Sequence, residues 1–425
     1  MQSRHVTVFG AGYVGLVTGV CLAAAGHRVT VLDVDEDKLA RLRSGMVPFH
    51  EPELQAVMAD ALATECLAFD HADTIAEIGE FAFVAVGTPS TLGGSADLRY
   101  VRAVVDKVLG LGSPGTVVVM KSTVPPGTGK QLSPRLAQGG IEYVSNPEFL
   151  REGRAVSDWF NTERIVLGGE PEAVAKVAAL YGNIDSPIVS GDVTSAELIK
   201  YASNAFLATK ISFANEIANL CDCVGADVEL VMQGVGLDGR IGPAFLSAGI
   251  GYGGSCFPKD TRALDFLSSM NGHDFHLLKA VIDVNSRQRL LPIMALRDRL
   301  GELAGRRVAV LGLTFKPDTD DTREAPATDI IGMLLSEGAT VRAFDPVGTM
   351  SFESPDYEQS ATIGDALRDA EAALVTTEWR DIVDADWHAL LGSMRAPRYV
   401  YDGRNCLDGD AVRAAGGLYV GVGRR

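Results

Sequence analysis

Long apolar runs are missing from this 425-residue chain. No uninterrupted hydrophobic stretch approaches the length that crosses a bilayer, and Met1-Gln2-Ser3-Arg4 lead straight into the strand-like His5–Phe9 with no room for a signal peptide. The expected location is the cytoplasm, with no membrane partner. Basic runs are missing too: 38 Lys+Arg against 55 Asp+Glu give a net charge of −17. Such a chain lacks the electrostatic footprint of a nucleic-acid binder, so an anionic ligand must be gripped by local residues. Cysteine is sparse. The six, at 21, 66, 221, 223, 256 and 406, have neither the density of a disulfide scaffold nor two Cys-x-x-Cys pairs for structural zinc. Reduced thiols and no metal are expected. Cys221-x-Cys223, on the apolar helical stretch Phe213–Cys223, reads as core filling.

What is present is an ordinary globular composition, 47% hydrophobic, in a length that suits two or three domains. The opening residues read as strand (His5–Gly10), glycine-rich turn, apolar helix (Tyr13–Ala25), Gly26 as stop, and strand (Arg28–Asp33), a βαβ unit. Further β-rich runs at Phe81–Val86, Thr116–Met120 and Glu142–Val144 alternate with helical patterns, as a doubly wound parallel sheet requires. From Thr194 the pattern turns helical, with Ala196–Val224 and Phe275–Leu300 each expected as one long helix. The opening pattern then recurs as strand Arg307–Gly312, helix Ala327–Ser336, Gly338 as stop, and strand Thr340–Phe344 ending in Asp345. The expected architecture is α/β: Rossmann-like doubly wound domains at 1–193 and 301–425, joined by a helical segment at 194–300.

The copies are not equivalent. Gly10-x-Gly12-x-x-Gly15 follows a strand and opens a helix, and Asp33 closes the next strand, which together suit a dinucleotide. Gly10 permits the tight turn, Gly12 the approach of the pyrophosphate and Gly15 the close packing of helix on strand. Asp33 would accept from the ribose hydroxyls and repel a 2′-phosphate, which favours NAD over NADP. The second copy keeps only Gly312, followed by Leu313-Thr-Phe-Lys316-Pro317, so its sheet is expected to hold a different ligand. Gly251-Tyr-Gly-Gly-Ser-Cys256-Phe-Pro-Lys-Asp260 puts a thiol between glycines and the charged Lys259 and Asp260, a setting for a nucleophile more than for core filling. Lys200 and Asn204 share a helix face amid Leu198, Ile199 and Phe206, as site groups or as a snorkelling lysine beside a surface amide. Asn146-Pro-Glu148-Phe-Leu-Arg-Glu152 follows a strand, near the edge where open α/β sheets bind ligands.

Taken in order, Gly10–Gly15, Val86-Gly-Thr-Pro89, Lys121–Thr128, Asn146–Gly153, Glu197–Asn204, Gly251–Asp260 and Phe315-Lys316 with Asp320–Glu324 resemble the motifs of the UDP-glucose/GDP-mannose dehydrogenase family over nearly the whole chain. Cys256-Phe-Pro-Lys, preceded by Asp238-Gly-Arg-Ile-Gly242, is most similar to members that act on UDP-glucose. The sequence departs from the family pattern at His50-Glu-Pro-Glu53, Gly93 and Ala325, none a catalytic position.

The resemblance implies an NAD-dependent, four-electron oxidation of the sugar C6 alcohol to a carboxylate. Lys200 or a water held by Asp260 would be the first base. Cys256 would capture the aldehyde, Lys200 and Asn204 would stabilise oxyanions, and a water near Glu148 and Thr123 would hydrolyse the thioester. It further implies cofactor contacts from Tyr13, Val14, Lys38, Thr88, Thr123, Glu152, Lys259 and Arg323. Substrate contacts would come from Glu148, Phe149, Leu150, Arg151 and Glu152, from Phe245, Leu246, Ser247, Ala248, Gly249 and Gly253, and from Phe315 and Lys316, which would hold the UDP. A homodimer is implied, with Arg240 reaching the partner's sugar nucleotide. The alternatives are GDP-mannose or another hexose as substrate, or a non-catalytic NAD-sensing protein on the same scaffold.

Overall fold

Short β-branched runs separated by helices build two sheets in the computed structural model, which describes residues 2–91 and 93–424. The chain divides into two units, Met1–Ser203 and Asn204–Arg425. In the first, β1 (His5–Phe9), β2 (Arg28–Asp33), β3 (Leu67–His71), β4 (Phe81–Val84), β5 (Val117–Met120), β6 (Glu142–Ser145), β7 (Ile165–Gly169) and β8 (Ile188–Gly191) form one sheet in the order β3-β2-β1-β4-β5-β6-β7-β8. The register runs from His5 opposite Arg28 to Phe9 opposite Leu32 on one side of β1, and from Val6 opposite Phe81 on the other. Every pair is parallel except β6 with β7, so the expected doubly wound parallel sheet carries an antiparallel step.

Successive strand residues face opposite sides, and both sides are apolar. Val6, Val8, Val29 and Val31 pack with Leu16, Val17 and Val20 of the Tyr13–Ala24 helix. Phe9, Leu32, Val84 and Met120 pack with Val101, Val105 and Val108 of the Arg99–Leu111 helix. Helices on both faces explain why β4 and β5 are buried along their whole length. The strand order reverses between β1 and β4, which puts a crevice at their carboxyl ends.

The second unit places helices Val228–Gly236, Phe257–Met270, His276–Gln288 and Leu291–Leu300 before a six-stranded, all-parallel sheet. Its strands are β9 (Arg307–Leu311), β10 (Thr340–Phe344), β11 (Tyr357–Gln359), β12 (Ala372–Val375), β13 (Tyr399–Asp402) and β14 (Leu418–Gly421), in the order β11-β10-β9-β12-β13-β14. This repeats the winding of the first six strands. The Val193–Val224 helix is continuous, as its periodicity predicts. Phe275–Leu300 is not: it is two helices broken at Arg289-Leu290. Pro292 is the cause, because in a continuous helix its ring would meet the carbonyl of Gln288, whereas in the first turn of a new helix it costs nothing. The core reading of Cys221-x-Cys223 holds for Cys221 alone, since Cys223 is exposed. Two residues apart on a helix, they point to nearly opposite sides.

Candidate active site

At the carboxyl end of β1 the chain turns through Gly10, whose φ of +102° and N–H bond to the Leu32 carbonyl (2.7 Å) fix the turn; a Cβ there would lie 2.6 Å from the Ala85 oxygen. A Cβ on Gly15 would strike the Gly10 carbonyl at 1.8 Å, so only glycine lets this helix start against the strand. At Gly12 the same atom would enter open space, next to the helix N-terminus where an anion is favoured. Beside this turn, Asp33 Oδ2 accepts from the Ala11 N–H (2.8 Å) and Lys38 Nζ (3.0 Å), while Oδ1 accepts from the N–H groups of Val34 and Asp35. Burial would raise this carboxyl, but the donors around it hold it below the usual range, so Asp33 is ionised. Val14 lies in the first turn of the helix, and Tyr13 before it turns into the fold: its hydroxyl donates to Glu51 Oε2 at 2.5 Å.

At the ends of β4, β5 and β6 the loops are sewn together. Ser122 Oγ donates to the Val86 carbonyl (2.7 Å) and Thr88 Oγ1 to the Thr123 carbonyl (2.9 Å). Glu148 is buried and pairs with the equally buried Lys200 at 2.9 Å, and its other oxygen accepts from the Leu150 N–H at 2.6 Å. Burial works against this carboxylate, but the Lys200 charge and hydrogen bond, the Leu150 N–H and the Lys121 charge keep it below its ordinary pKa. Phe149 is flanked by the Arg164 guanidinium (4.1 Å from the ring centre) and Lys200 (5.4 Å). Arg151 instead turns to Asp158, which also caps its N–H. Glu152 is half-buried in the turn that follows.

In the second unit Asn204 Nδ2 donates to Asp260 Oδ2 (2.6 Å), and Lys259 Nζ holds Oδ1. Asn204 and Asp260 are buried. Cys256 is the N-cap of the Phe257–Met270 helix, half-buried, with its Sγ 3.6 Å from Ser255 Oγ. Pro258 in the first turn preorganises that helix, and the positive end of the helix dipole favours an anion at Cys256. Upstream, Gly254 (φ +82°) presses flat on Phe315, where a Cβ would stand 2.9 Å from the ring. Gly253 is as tightly confined by the Glu324 carbonyl. Lys316 Nζ lies 5.6 Å from the Phe315 ring centre. Phe245 takes φ +64° and meets Phe257 with the rings tilted, centroids 6.1 Å apart; Leu246 and Ala248 are buried, Ser247 is exposed, and the Gly249 N–H donates to Asn215 Oδ1 (2.8 Å). Arg240 and Arg323 are alike, each folded back on the aspartate two residues before it, Asp238 and Asp321, with side chains 89% and 65% exposed.

Family models match in chain order: the NAD binding domain of the UDP-glucose/GDP-mannose dehydrogenase family over 4–185, its central domain over 194–287, and its UDP binding domain over 309–409. The chain belongs to the UDP-glucose/GDP-mannose dehydrogenase family. A UDP-glucose 6-dehydrogenase of Bacillus subtilis is 44% identical over 99% of this chain and 98% of its own length. A solved UDP-glucose dehydrogenase from Pyrobaculum islandicum matches with TM-score 0.89 and 38% identity, covering 100% of this chain and 98% of that one. A UDP-D-ManNAc dehydrogenase from Pyrococcus horikoshii reaches TM-score 0.88 at 26% identity, covering 99% of each chain. The fold is therefore shared with dehydrogenases named for different sugars.

This family member also relies on residues that sequence reasoning passed over. Glu51 accepts from the N–H groups of Gly153 (2.6 Å) and Ala155 (2.8 Å) as well as from Tyr13, so one carboxylate ties the Gly10–Gly15 helix to the loop after β6. Arg404 Nε donates to the Thr376 carbonyl (2.8 Å), Nη1 to Gly251 (3.1 Å) and Nη2 to Phe315 (3.3 Å), fastening three loops. Asp345 stands where Asp33 stands in the first sheet, yet its oxygens are taken by the N–H groups of Leu313, Thr314, Val347 and Gly348 and by Trp379 Nε1. Asp345 thus meets five N–H groups of the folded chain, against the four donors around Asp33. The only cue in the sequence was the carboxylate or arginine itself, because every partner but the two that follow Asp345 is distant along the chain.

Proposed function

We propose that the chain oxidises the C6 alcohol of UDP-glucose to a carboxylate, with NAD as acceptor. Cys256 carries this reading: a half-buried thiol at the N-terminus of a 14-residue helix, in a turn whose glycines admit no side chain. The curated relatives named for this reaction support the substrate. Bound NAD would supply the hydride acceptor for both oxidations, held by the turn at Gly10, Gly12 and Gly15, with Asp33 and Lys38 at the ribose; the ionised Asp33 and the open space at Gly12 fit it. Thr88, Thr123, Glu152, Lys259 and Arg323 are the remaining proposed contacts.

Each oxidation removes a proton from carbon-bound oxygen as hydride leaves carbon. An ammonium held against Glu148 suits stabilising the alkoxide more than taking its proton, which favours a water held by Asp260 as the first base. The Cys256 thiolate adds to the aldehyde carbon, and the oxyanion formed is met by Lys200 and Asn204. Loss of hydride from this thiohemiacetal leaves a thioester. Water, its proton drawn toward Glu148, adds to the thioester carbon; the C–S bond breaks and the thiol regains a proton. Phe315, Lys316 and the Phe245–Gly249 loop would hold the UDP.

The apolar Phe206, Phe213 and Leu220, seven residues apart along the Val193–Val224 helix, are all exposed, which supports a homodimer; Arg240 would reach the partner's ligand in it. Six free thiols and the absence, among the described residues, of a helix able to cross a membrane fit a cytoplasmic location. Purified protein given UDP-glucose should form two NADH per uronate. Cys256→Ala should bind both ligands and form no uronate, measured by titration calorimetry and product analysis. Turnover of GDP-mannose or UDP-ManNAc in preference to UDP-glucose would reassign the sugar, and no NADH with any nucleotide sugar would favour the sensing protein.

A further inference from the structure

We propose that Lys121 is a positioning residue for this reaction: its ammonium, buried behind the Glu148–Lys200 pair, is a third charge that sets the pH range over which that pair works. The inference rests on the roles of Glu148 and Lys200 argued above. Lys121 is only 5% exposed. Its Nζ donates to Asn146 Oδ1 at 3.2 Å and lies 3.5 Å from the Tyr181 hydroxyl, over the faces of Trp159 (5.4 Å) and Tyr181 (5.8 Å). Among the described residues no carboxylate forms an ion pair with it. The Tyr181 hydroxyl donates to Asn146 Oδ1 at 2.5 Å and Asn146 Nδ2 to the Val166 carbonyl at 3.0 Å, so the amide is pinned with its oxygen toward the ammonium. A lysine wanted only for packing is better replaced by an apolar side chain, because a buried charge with neutral partners is costly.

Lys121 and Glu148 line the same cavity of about 30 Å³, with room for a water molecule. The groups that face the ammonium are the neutral Asn146, Tyr181 and Trp159 and the charged Glu148 and Lys200; Asp158 and Arg164, on the cavity wall, are committed to Arg151 and Phe149. Burial pushes the Lys121 ammonium down to about 8, Glu148 supports its charge and Lys200 opposes it. The coupling is mutual. While Lys121 is charged it lowers the carboxyl of Glu148 and the ammonium of Lys200 together, so removing it must move both to higher pH.

The test uses the full chain with saturating NAD and UDP-glucose, following kcat against pH. Lys121→Met should leave KM for both ligands within about twofold, lower kcat about threefold at neutral pH, and move both limbs upward by about half a unit or more. Lys121→Arg, which keeps the charge, should restore their position. A folded Lys121→Met whose profile overlays the wild type, or a Lys121→Arg displaced as far as Lys121→Met, overturns the proposal. If Lys121→Met does not fold, Tyr181→Phe decides. It removes one hydroxyl near the ammonium and should move the limbs the same way by less; an unmoved profile overturns the proposal. Glu148→Gln and Lys200→Met are assayed alongside. If they keep full kcat, the reading of the reaction falls; if they lose it while the Lys121 variants behave as wild type, only the role of Lys121 falls.

Discussion

Asp33 holds four hydrogen bonds within the protein alone, so its substitution has two consequences that can be separated. Asp33→Ser with Val34→Arg replaces the carboxylate by a guanidinium at an exposed neighbour. The ratio of kcat/KM for NAD to that for NADP should fall by about a hundredfold or more, since an arginine fork fits a 2′-phosphate. An unchanged ratio in steady-state kinetics would mean that the ribose is read elsewhere. The loss of the Ala11 and Lys38 bonds should appear independently as a lower melting temperature. At this scale the sequence was legible wherever chemistry is intrinsic to the residue type: a thiol among glycines, a glycine triplet, an acid closing a strand. Glu51, Lys121 and Arg404 were not, because their meaning lies in partners far along the chain, such as those 102 and 104 residues beyond Glu51.

Among the elements, the Thr128–Gln138 helix starts on a glycine with no side-chain cap of its own, and Glu197, arriving from the long helix, supplies one. Its oxygens accept from the N–H groups of Gly127 and Gly129, both at 2.7 Å. Burial pushes this carboxyl up to about 7, with those N–H groups pulling the other way. A carboxyl raised on folding contributes stability below its unfolded value of 4.5, and that contribution is lost as pH rises through about 7. Wild type should therefore lose up to about 3 kcal/mol more stability than Glu197→Gln between pH 5 and 8, in urea unfolding followed by circular dichroism. Equal losses would exclude Glu197 as the titrating group. Periodicity revealed the elements themselves well, since strands and long helices announce themselves locally. It ran through Arg289-Leu290, where apolar spacing continues while Pro292 forbids the hydrogen bond that a continuous helix needs.

For the whole molecule, the repeat of one winding order in both sheets was visible as an echo of strand, turn, helix and closing acid, whereas the different fate of the two acids was not. Asp345 is surrounded by donors that only the folded chain supplies. Assembly can be tested on the exposed helix face. Phe206→Asp with Phe213→Asp puts charge where an apolar surface would be buried, and light scattering should then report a monomer; an unchanged mass would place any interface elsewhere. Arg240→Ala should raise KM for UDP-glucose about tenfold or more, as expected for an arginine on a phosphate. When mixed with Cys256→Ala it should regain activity, because one site of the mixed dimer is then complete. Subunit exchange without such a gain would confine Arg240 to its own chain.

Arg404 spends its fork on the carbonyls of Thr376, Gly251 and Phe315, and a carbonyl is the one group every amino acid brings. Substitutions at Thr376 or Phe315 therefore leave these three anchor points in place, whatever they do to the contacts of the side chains themselves. The same economy makes the arrangement brittle at one position. Replacing Arg404 removes all three attachments at once, whereas a substitution at any one anchor residue removes none of them.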